Sequence, residues 1–115
     1  MLLRVDHGSS QPLHDQLAGQ LRQAIAKGDP APGDKLPPAR ELANGLGVNV
    51  HTMLRAFQTL RDEGLLEVRR GRGTIVTDTA PDQVNLVDKA RDLVEQARRI
   101  GADDDAIRQL LEAQL

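Results

Sequence analysis

Asn49, His51 and Thr52 are the residues whose types and spacing first suggest chemistry, and they lie within GVNVHTMLRAF, residues 47 to 57. Their side chains can read DNA bases in the major groove: Asn pairs with adenine, His donates to a guanine acceptor, and Thr offers a hydroxyl and a methyl group. Asn is also a preferred N-cap, so the same residues could simply begin a helix. The stretch by itself leaves both interpretations open.

A second candidate group is basic and surrounds a predicted turn. It consists of Arg69, Arg70, Gly71, Arg72 and Gly73. Alternating residues before this turn and β-branched residues after it predict a β-hairpin with a basic tip. Arginine at such a tip can enter a narrow minor groove, where the negative potential of DNA is concentrated. The alternative is a solvated basic turn that keeps a sheet edge soluble.

Catalytic and metal chemistry have less support in this sequence. It contains no cysteine and no P-loop, GxSxG or HExxH motif, so no nucleophile or cofactor cradle is indicated. His7 and His14 lack a set of partner ligands at metal-binding spacing. We therefore expect no enzyme activity, no cofactor and no metal.

Composition indicates a folded domain with a modest core, since the 115 residues are 39% hydrophobic and 28% charged. Only one residue is aromatic, which argues against a stacking surface for single-stranded nucleic acid. There is no signal-like leader and no apolar run of about 20 residues, the length that crosses a bilayer. These features predict a cytoplasmic protein.

The net charge of −2 conceals a gradient along the chain. Residues 35 to 77 contain seven basic and four acidic residues, giving +3, whereas residues 78 to 115 contain five basic and nine acidic residues, giving −4. A basic middle suits a polyanionic partner, and an acidic tail suits a region that faces away from it.

Apolar spacing predicts three helices before the hairpin. The first begins near Pro12 and carries a stripe of residues four apart: Leu13, Leu17, Leu21 and Ile25. The second opens at Pro38 and ends at Gly47, and the third begins at Asn49 and ends at Gly64. Two short helices joined by a tight glycine turn form a helix-turn-helix, and the hairpin that follows makes it a winged helix.

The tail is predicted to be a pair of helices that dimerise. Residues 79 to 83 are interpreted as a linker, and Asp103 is expected to cap the last helix. Apolar residues recur at heptad-like spacing, and the candidate dimer contacts are Leu86, Ala90, Leu93, Val94, Ala97, Ile100, Ile107, Leu110 and Leu111. The stripe could instead fold back on the first helix of the same chain. The expected domains are residues 1–78, which bind DNA, and residues 79–115, which dimerise.

The stretch PGDKLPPARELANGLGVNVHTMLRAFQTLRDEGLLEVRRGRGTIV resembles the DNA-binding domain of GntR-family bacterial transcription regulators. Its PG-D-LP--REL, GV-x-x-x-T, EGL and G-x-GT segments have the order and spacing of that family, and QPLHDQLAGQLRQAIAKG resembles its first helix. The short tail is similar to the YtrA-type subfamily, in which a pair of helices serves mainly for dimerisation. The resemblance implies a fold that is mainly α with a small β-hairpin, namely a winged helix-turn-helix with a two-helix tail.

The resemblance also implies which residues contact DNA. They are the arginine of the LP--REL motif, the start of the recognition helix and the GRG tip of the wing: Arg40, Asn49, Val50, His51, Thr52, Gly71, Arg72 and Gly73. Arg69 and Arg70 join the candidate DNA contacts from the basic hairpin tip, and Arg55 joins them as the cation beside Leu54. YtrA-type proteins often have proline and asparagine at the positions of Val50 and His51, so the base preference should differ while the fold does not. An arginine contact of another branch falls on Leu54, beside Arg55, and is not carried over.

Residues and resemblance together predict a homodimeric, sequence-specific transcription regulator, with repression of a palindromic operator as the family expectation. Its partners would be double-stranded DNA, a second copy of the chain and an unidentified small-molecule effector. The alternative is a winged-helix protein-protein interaction module without specific DNA binding.

Overall fold

The computed structural model describes residues 2–115, and Met1, the first residue of the predicted DNA-binding domain, lies outside the described residues. Across residues 2–115 the chain forms five helices and one antiparallel pair of strands. In chain order these are α1 (Leu13–Ala26), α2 (Ala39–Leu46), α3 (Val50–Asp62), β1 (Leu66–Arg69), β2 (Gly73–Val76), α4 (Ala80–Arg99) and α5 (Asp104–Glu112). This order confirms the predicted winged helix-turn-helix followed by a two-helix tail.

The core lies among the first three helices, because each presents one apolar face to the others. α1 contributes the predicted stripe, of which Leu17, Leu21 and Ile25 are fully buried. α3 contributes Met53 and Leu60, which are also fully buried, and packs against both α1 and α2. The helical spacing in the sequence therefore identified the faces that meet, and the opposite face of α3 is left to solvent.

The turn between α2 and α3 is fixed by local chemistry. Gly47 closes α2 with φ 68, a left-handed conformation that side chains other than glycine rarely adopt. Two residues later Asn49 caps α3, with its Oδ1 accepting a hydrogen bond from the His51 amide at 2.8 Å. Both predictions for this turn are confirmed, and together they set where the first turn of α3 begins.

Three segments of chain form the hairpin and its support, namely β1, β2 and the loop before α2. β1 and β2 pair from Leu66 opposite Val76 to Arg69 opposite Gly73. The proline- and glycine-rich loop before α2 lies along the other edge of β2, where the Leu36 amide donates to the Thr74 carbonyl at 2.9 Å. β2 is therefore bonded along both of its edges at the base of the wing, to β1 on one side and to this loop on the other.

An ion pair joins α1 to the end of α3. The Arg22 Nε and Nη2 groups each donate to one carboxylate oxygen of Glu63, both at 2.8 Å. The side chains are 8% and 18% exposed, so this bidentate pair lies largely out of water. Because charge-assisted bidentate pairs are strong and directional, it fixes the orientation of α3 on α1.

The predicted linker at residues 79 to 83 is wrong. α4 begins at Ala80, and Pro81 is tolerated there because the first turn of a helix does not need its amide hydrogen. Ala80 and Val84 are buried in the core of the helix-turn-helix, so this turn of α4 packs as part of that domain. The chain divides into two compact units, the first ending at Val84 and the second spanning Asn85–Leu115.

The second unit, Asn85–Leu115, contains most of α4 and all of α5, and local polar contacts shape the turn between them. Asp103 caps α5 as predicted, with its Oδ1 accepting from the Ala106 amide at 2.9 Å. The hydrogen bond and the positive charge of Arg98 hold the pKa of the Asp104 carboxyl below its ordinary value. The pair between Asp104 and Arg98 joins the end of α4 to the start of α5.

Candidate nucleic-acid interface

The candidate base-reading surface is the exposed start of α3. Asn49 and His51 are exposed, while Val50 and Thr52 are half-buried, so all four border solvent on the first turn. The Asn49 oxygen accepts from the His51 amide, yet an amide oxygen has a second lone pair and the amide nitrogen has two donors. Capping therefore leaves Asn49 able to pair with a base, and the two interpretations of this residue are compatible.

The same face continues one turn further along α3. Leu54 and Arg55 are exposed, and Gln58 follows at the next turn. Residues three and four positions apart lie on one side of a helix, so these side chains extend the surface that begins at His51. The buried residues of α3 lie on the opposite side, which leaves this face free of any role in the core.

Arg40 lies on α2, in the turn after its Pro38 cap. Its side chain is exposed, and within the described part of the chain it makes no ion pair or side-chain hydrogen bond. α2 packs directly on α3, so the two helices of the motif form one body. An unpaired cation on the helix that packs against the recognition helix can contact a phosphate, which is how such proteins set their register on a duplex.

The three arginines of the wing differ in whether a carboxylate pairs with them. Arg69 is paired with Glu67 of the same strand, with its Nε donating to Oε1 at 2.8 Å. Arg70 and Arg72 are exposed at the tip, and among residues 2–115 their side chains have no carboxylate partner. A cation without a carboxylate partner does not have to break an ion pair before it binds a polyanion. Arg70 and Arg72 are therefore better suited than Arg69 to bind DNA.

The turn of the wing depends on its glycines. Gly71 and Gly73 have φ 78 and φ 93, in the left-handed region that favours glycine. Gly73 also lies against Lys35, because a Cβ at this position would stand 3.1 Å from the Lys35 Cε. Lys35 therefore brings a further cation to the base of the wing.

Sequence reasoning did not place Lys35 in the binding set. It is 38 positions from Gly73, and the two meet only because the loop before α2 pairs with β2. No local pattern signals this pairing, although the family-like PGDKLP stretch shows that the loop has a defined role. The wing, α2 and the start of α3 all belong to the first unit, where α3 packs against β1.

The candidate dimer residues of the tail differ in exposure. Six of them are exposed apolar side chains: Leu86, Ala90, Val94, Ile100, Leu110 and Leu111. Leu93 is half-buried, whereas Ala97 and Ile107 are already buried within the single chain. The second unit therefore uses two of the predicted residues for its own packing and leaves most of the others uncovered, as expected of a surface that associates.

Two kinds of site are not found in the described residues. Among residues 2–115 there is no cluster of three or more histidine, cysteine, aspartate or glutamate side chains that could hold a metal. No helix in that range combines the length and the apolar character needed to span a membrane.

Comparison with known proteins agrees with this geometry. Residues 13–76 match the family of bacterial regulatory proteins described as the gntR family. The HTH-type transcriptional repressor YtrA of Bacillus subtilis is 39% identical over 79 residues, which cover 69% of this chain and 61% of that protein, less than two thirds of its length. An HTH-type transcriptional regulator of Mycobacterium tuberculosis is 36% identical over 109 residues, covering 94% of this chain and 90% of that protein.

A solved structure shows the same likeness over almost the whole chain. YtrA from Sulfolobus acidocaldarius, a GntR-family transcription factor, has a TM-score of 0.67 and 34% identity, covering 96% of this chain and 94% of its own. The fold, the exposed start of α3 and these relatives define a transcription regulator with a winged helix-turn-helix. The chain belongs to the GntR family of bacterial regulatory proteins.

Proposed function

We propose that this regulator is a homodimeric repressor that acts in the cytoplasm on double-stranded DNA with a palindromic operator. The observation that carries the proposal is the solvent-bordering first turn of α3, together with Arg40 on α2 and a wing whose Arg70 and Arg72 have no carboxylate partner among residues 2–115. Repression is favoured by the name of the Bacillus subtilis relative, a transcriptional repressor. The absence of nucleophile motifs and the regulator names of the relatives favour binding over catalysis.

Each part of the first unit has a distinct task in this mechanism. The first turn of α3 enters the major groove, where Asn49, His51 and Thr52 meet base edges. The wing arginines reach the adjacent minor groove, whose narrow parts concentrate negative potential. Arg40 and Lys35 contact phosphates, which position the protein without reading sequence.

Dimerisation supplies the specificity that one winged helix lacks. A single helix in the groove reads too few base pairs to distinguish an operator from the many competing sites of a genome. A two-fold dimer reads two half-sites separated by about one helical turn, so its operator is palindromic. The uncovered apolar residues of the tail support this association, and its −4 charge suits a region that faces away from DNA. A small-molecule effector stays a prediction.

The test is fluorescence anisotropy with the DNA directly upstream of the protein's own coding region and with a scrambled duplex of equal composition. We expect a preference of at least about a thousandfold for the upstream DNA at physiological salt. Equal and steeply salt-dependent binding to both duplexes would mean either that this DNA is not the operator or that the attraction is only nonspecific, and a random-sequence selection would distinguish the two. No binding to either duplex at low salt would contradict the proposal and favour a protein-interaction module.

The Arg72→Ala variant should bind specific and scrambled DNA about tenfold more weakly and should lower the slope of log K against log salt by about one. Arg72 is exposed on the wing tip and has no carboxylate partner within the described part of the chain. Each phosphate contact that is lost releases roughly one counterion fewer. Arg99→Ala in the tail removes the same charge from an exposed site and serves as the matched control. If the slope of log K against log salt were the same for Arg72→Ala and Arg99→Ala, the wing would not contact DNA.

Two substitutions of Asn49 separate its capping role from base recognition. Asn49→Ala should reduce the unfolding free energy by about 1 kcal/mol, whereas Asn49→Ser keeps a capping oxygen and should leave it nearly unchanged. Both variants should lose the preference for adenine at one position in each half-site, because neither can make a bidentate contact. Binding profiles over operators mutated one base pair at a time check this. A Ser variant with the native profile would leave Asn49 as a cap alone.

A further inference from the structure

Leu54 is an apolar side chain on the otherwise polar exposed face of α3. It is 47% exposed, while the core side of the same helix is complete without it, since Met53, Phe57 and Leu60 are buried there. Single exposed leucines are ordinary on protein surfaces. This one differs in its position, because it lies on the surface that presents the candidate base-reading residues.

The helix geometry places Leu54 directly behind the first turn of α3. At about 100° per residue, it stands within about 60° of Val50 and His51 around the helix axis. Side chains also tilt toward the N-terminus of a helix, so Leu54 leans toward that first turn. It therefore lies on the same side of α3 as those two residues.

Leu54 keeps 47% of its surface exposed, and two neighbours on the same face are not folded over it. Gln58, one turn further on, is engaged toward the end of the helix, with its Nε2 donating to Asp62 Oδ1 at 2.8 Å and its Oε1 accepting from Arg61. Arg55 has no ion pair or side-chain hydrogen bond within residues 2–115 that would fold it across Leu54. The isobutyl group is thus available to a partner.

We propose that Leu54 packs against the 5-methyl group of a thymine and selects thymine at one position in each half-site. The thymine methyl is the apolar group that base pairs display in the major groove, and an aliphatic side chain is its natural contact. Against the cytosine amino group or the guanine acceptors, Leu54 would remove water without replacing the lost hydrogen bonds. The proposal rests on the proposed function, since it requires α3 to enter the major groove.

The test replaces the thymine methyl while keeping base pairing. An operator is obtained by random-sequence selection with the native protein, and each thymine is then exchanged in turn for deoxyuridine, which lacks the 5-methyl group. At one thymine in each half-site, native protein should bind about fourfold more weakly per methyl removed, the effect expected from one buried methyl-sized group. Leu54→Ala should bind thymine and deoxyuridine equally at that position, and Leu54→Met, which keeps an apolar chain, should retain the sensitivity.

Leu2→Ala is the matched control, because it makes the same substitution at an exposed leucine outside α3 and should leave the response to deoxyuridine unaltered. A Leu54→Ala variant as sensitive to methyl removal as native protein would overturn the inference, as would an operator in which no thymine methyl affects binding. Either result would leave the regulator intact, since the selected operator would still be recognised. A selection that returns no preferred sequence would overturn the proposed function and this inference together.

Discussion

Leu111→Glu is expected to dissociate the proposed dimer and to weaken binding to the full operator by at least about 100-fold. Leu111 is 49% exposed on α5, and Leu110 beside it is 46% exposed. A carboxylate placed in an apolar interface must lose its hydration without gaining a partner, which strongly opposes association. Sedimentation velocity at micromolar protein checks the oligomeric state, and anisotropy with the selected operator checks affinity.

The loss of affinity follows from the linkage of two half-sites. In a dimer, binding of one winged helix holds the second at a high effective concentration over its own half-site. A monomer loses that gain and keeps only the affinity of one half-site, together with its nonspecific attraction to phosphates. We therefore expect binding to an isolated half-site to be nearly the same for the variant and the native chain.

Gln109→Glu is the matched control, because it adds the same charge to an exposed polar position of the same helix. It should remain dimeric and bind the operator with nearly native affinity. Circular dichroism should show the same helix content in all three proteins, since Ile107, not Leu111, is the buried residue of α5. A Leu111→Glu protein that still sediments as a dimer would contradict the assignment of this surface to dimerisation.

Glu63→Gln is expected to lower the unfolding free energy by about 3 kcal/mol. The Arg22 guanidinium, 8% exposed, would lose the negative charge and one of the two acceptors that compensate its burial. For a domain of this size the midpoint of thermal unfolding should fall by roughly 10–20 °C. Urea unfolding followed by circular dichroism, together with thermal melts, measures both quantities.

The exposed pair between Glu67 and Arg69 is the control for this effect, because it joins the same residue types with side chains that are 42% and 43% exposed. Glu67→Gln should change stability by less than about 1 kcal/mol. The double substitution of Arg22→Met with Glu63→Leu should recover most of the lost stability, since apolar side chains of similar volume often replace a buried pair without loss. Equal destabilisation by Glu63→Gln and Glu67→Gln would show that the buried pair has no special role.

The end of α2 and the starts of α3 and α5 could be predicted from the sequence because they depend on short-range chemistry. Gly47 ends α2 with a left-handed φ, and Asn49 and Asp103 cap the following helices with their own side chains. These interactions span only a few residues, so the letters alone identify them. The base-reading candidates at the start of α3 follow from the same local signals, together with the family-like motifs around them.

Apolar periodicity was equally informative where it identified the apolar face of a helix. The stripe at Leu17, Leu21 and Ile25 is the buried side of α1, because residues four apart lie on one side of a helix. The same reasoning identified the apolar residues of the tail, of which Leu110 and Leu111 remain exposed in the single chain. Periodicity alone could not tell which tail residues pack within one chain, and Ala97 and Ile107 proved to be buried there.

Only the tertiary structure decided the contacts between residues that are far apart in the chain. Arg22 and Glu63 are 41 positions apart, and Lys35 reaches Gly73 only through the pairing of its loop with β2. Residues 79 to 83 read as a linker because they are polar and contain proline, yet Ala80 is fully buried in the core of the first unit. The ion pair, the Lys35 contact and the burial of Ala80 have the same physical reason. Burial and ion pairing depend on which surfaces pack together in the folded chain, and local sequence propensities do not determine that packing.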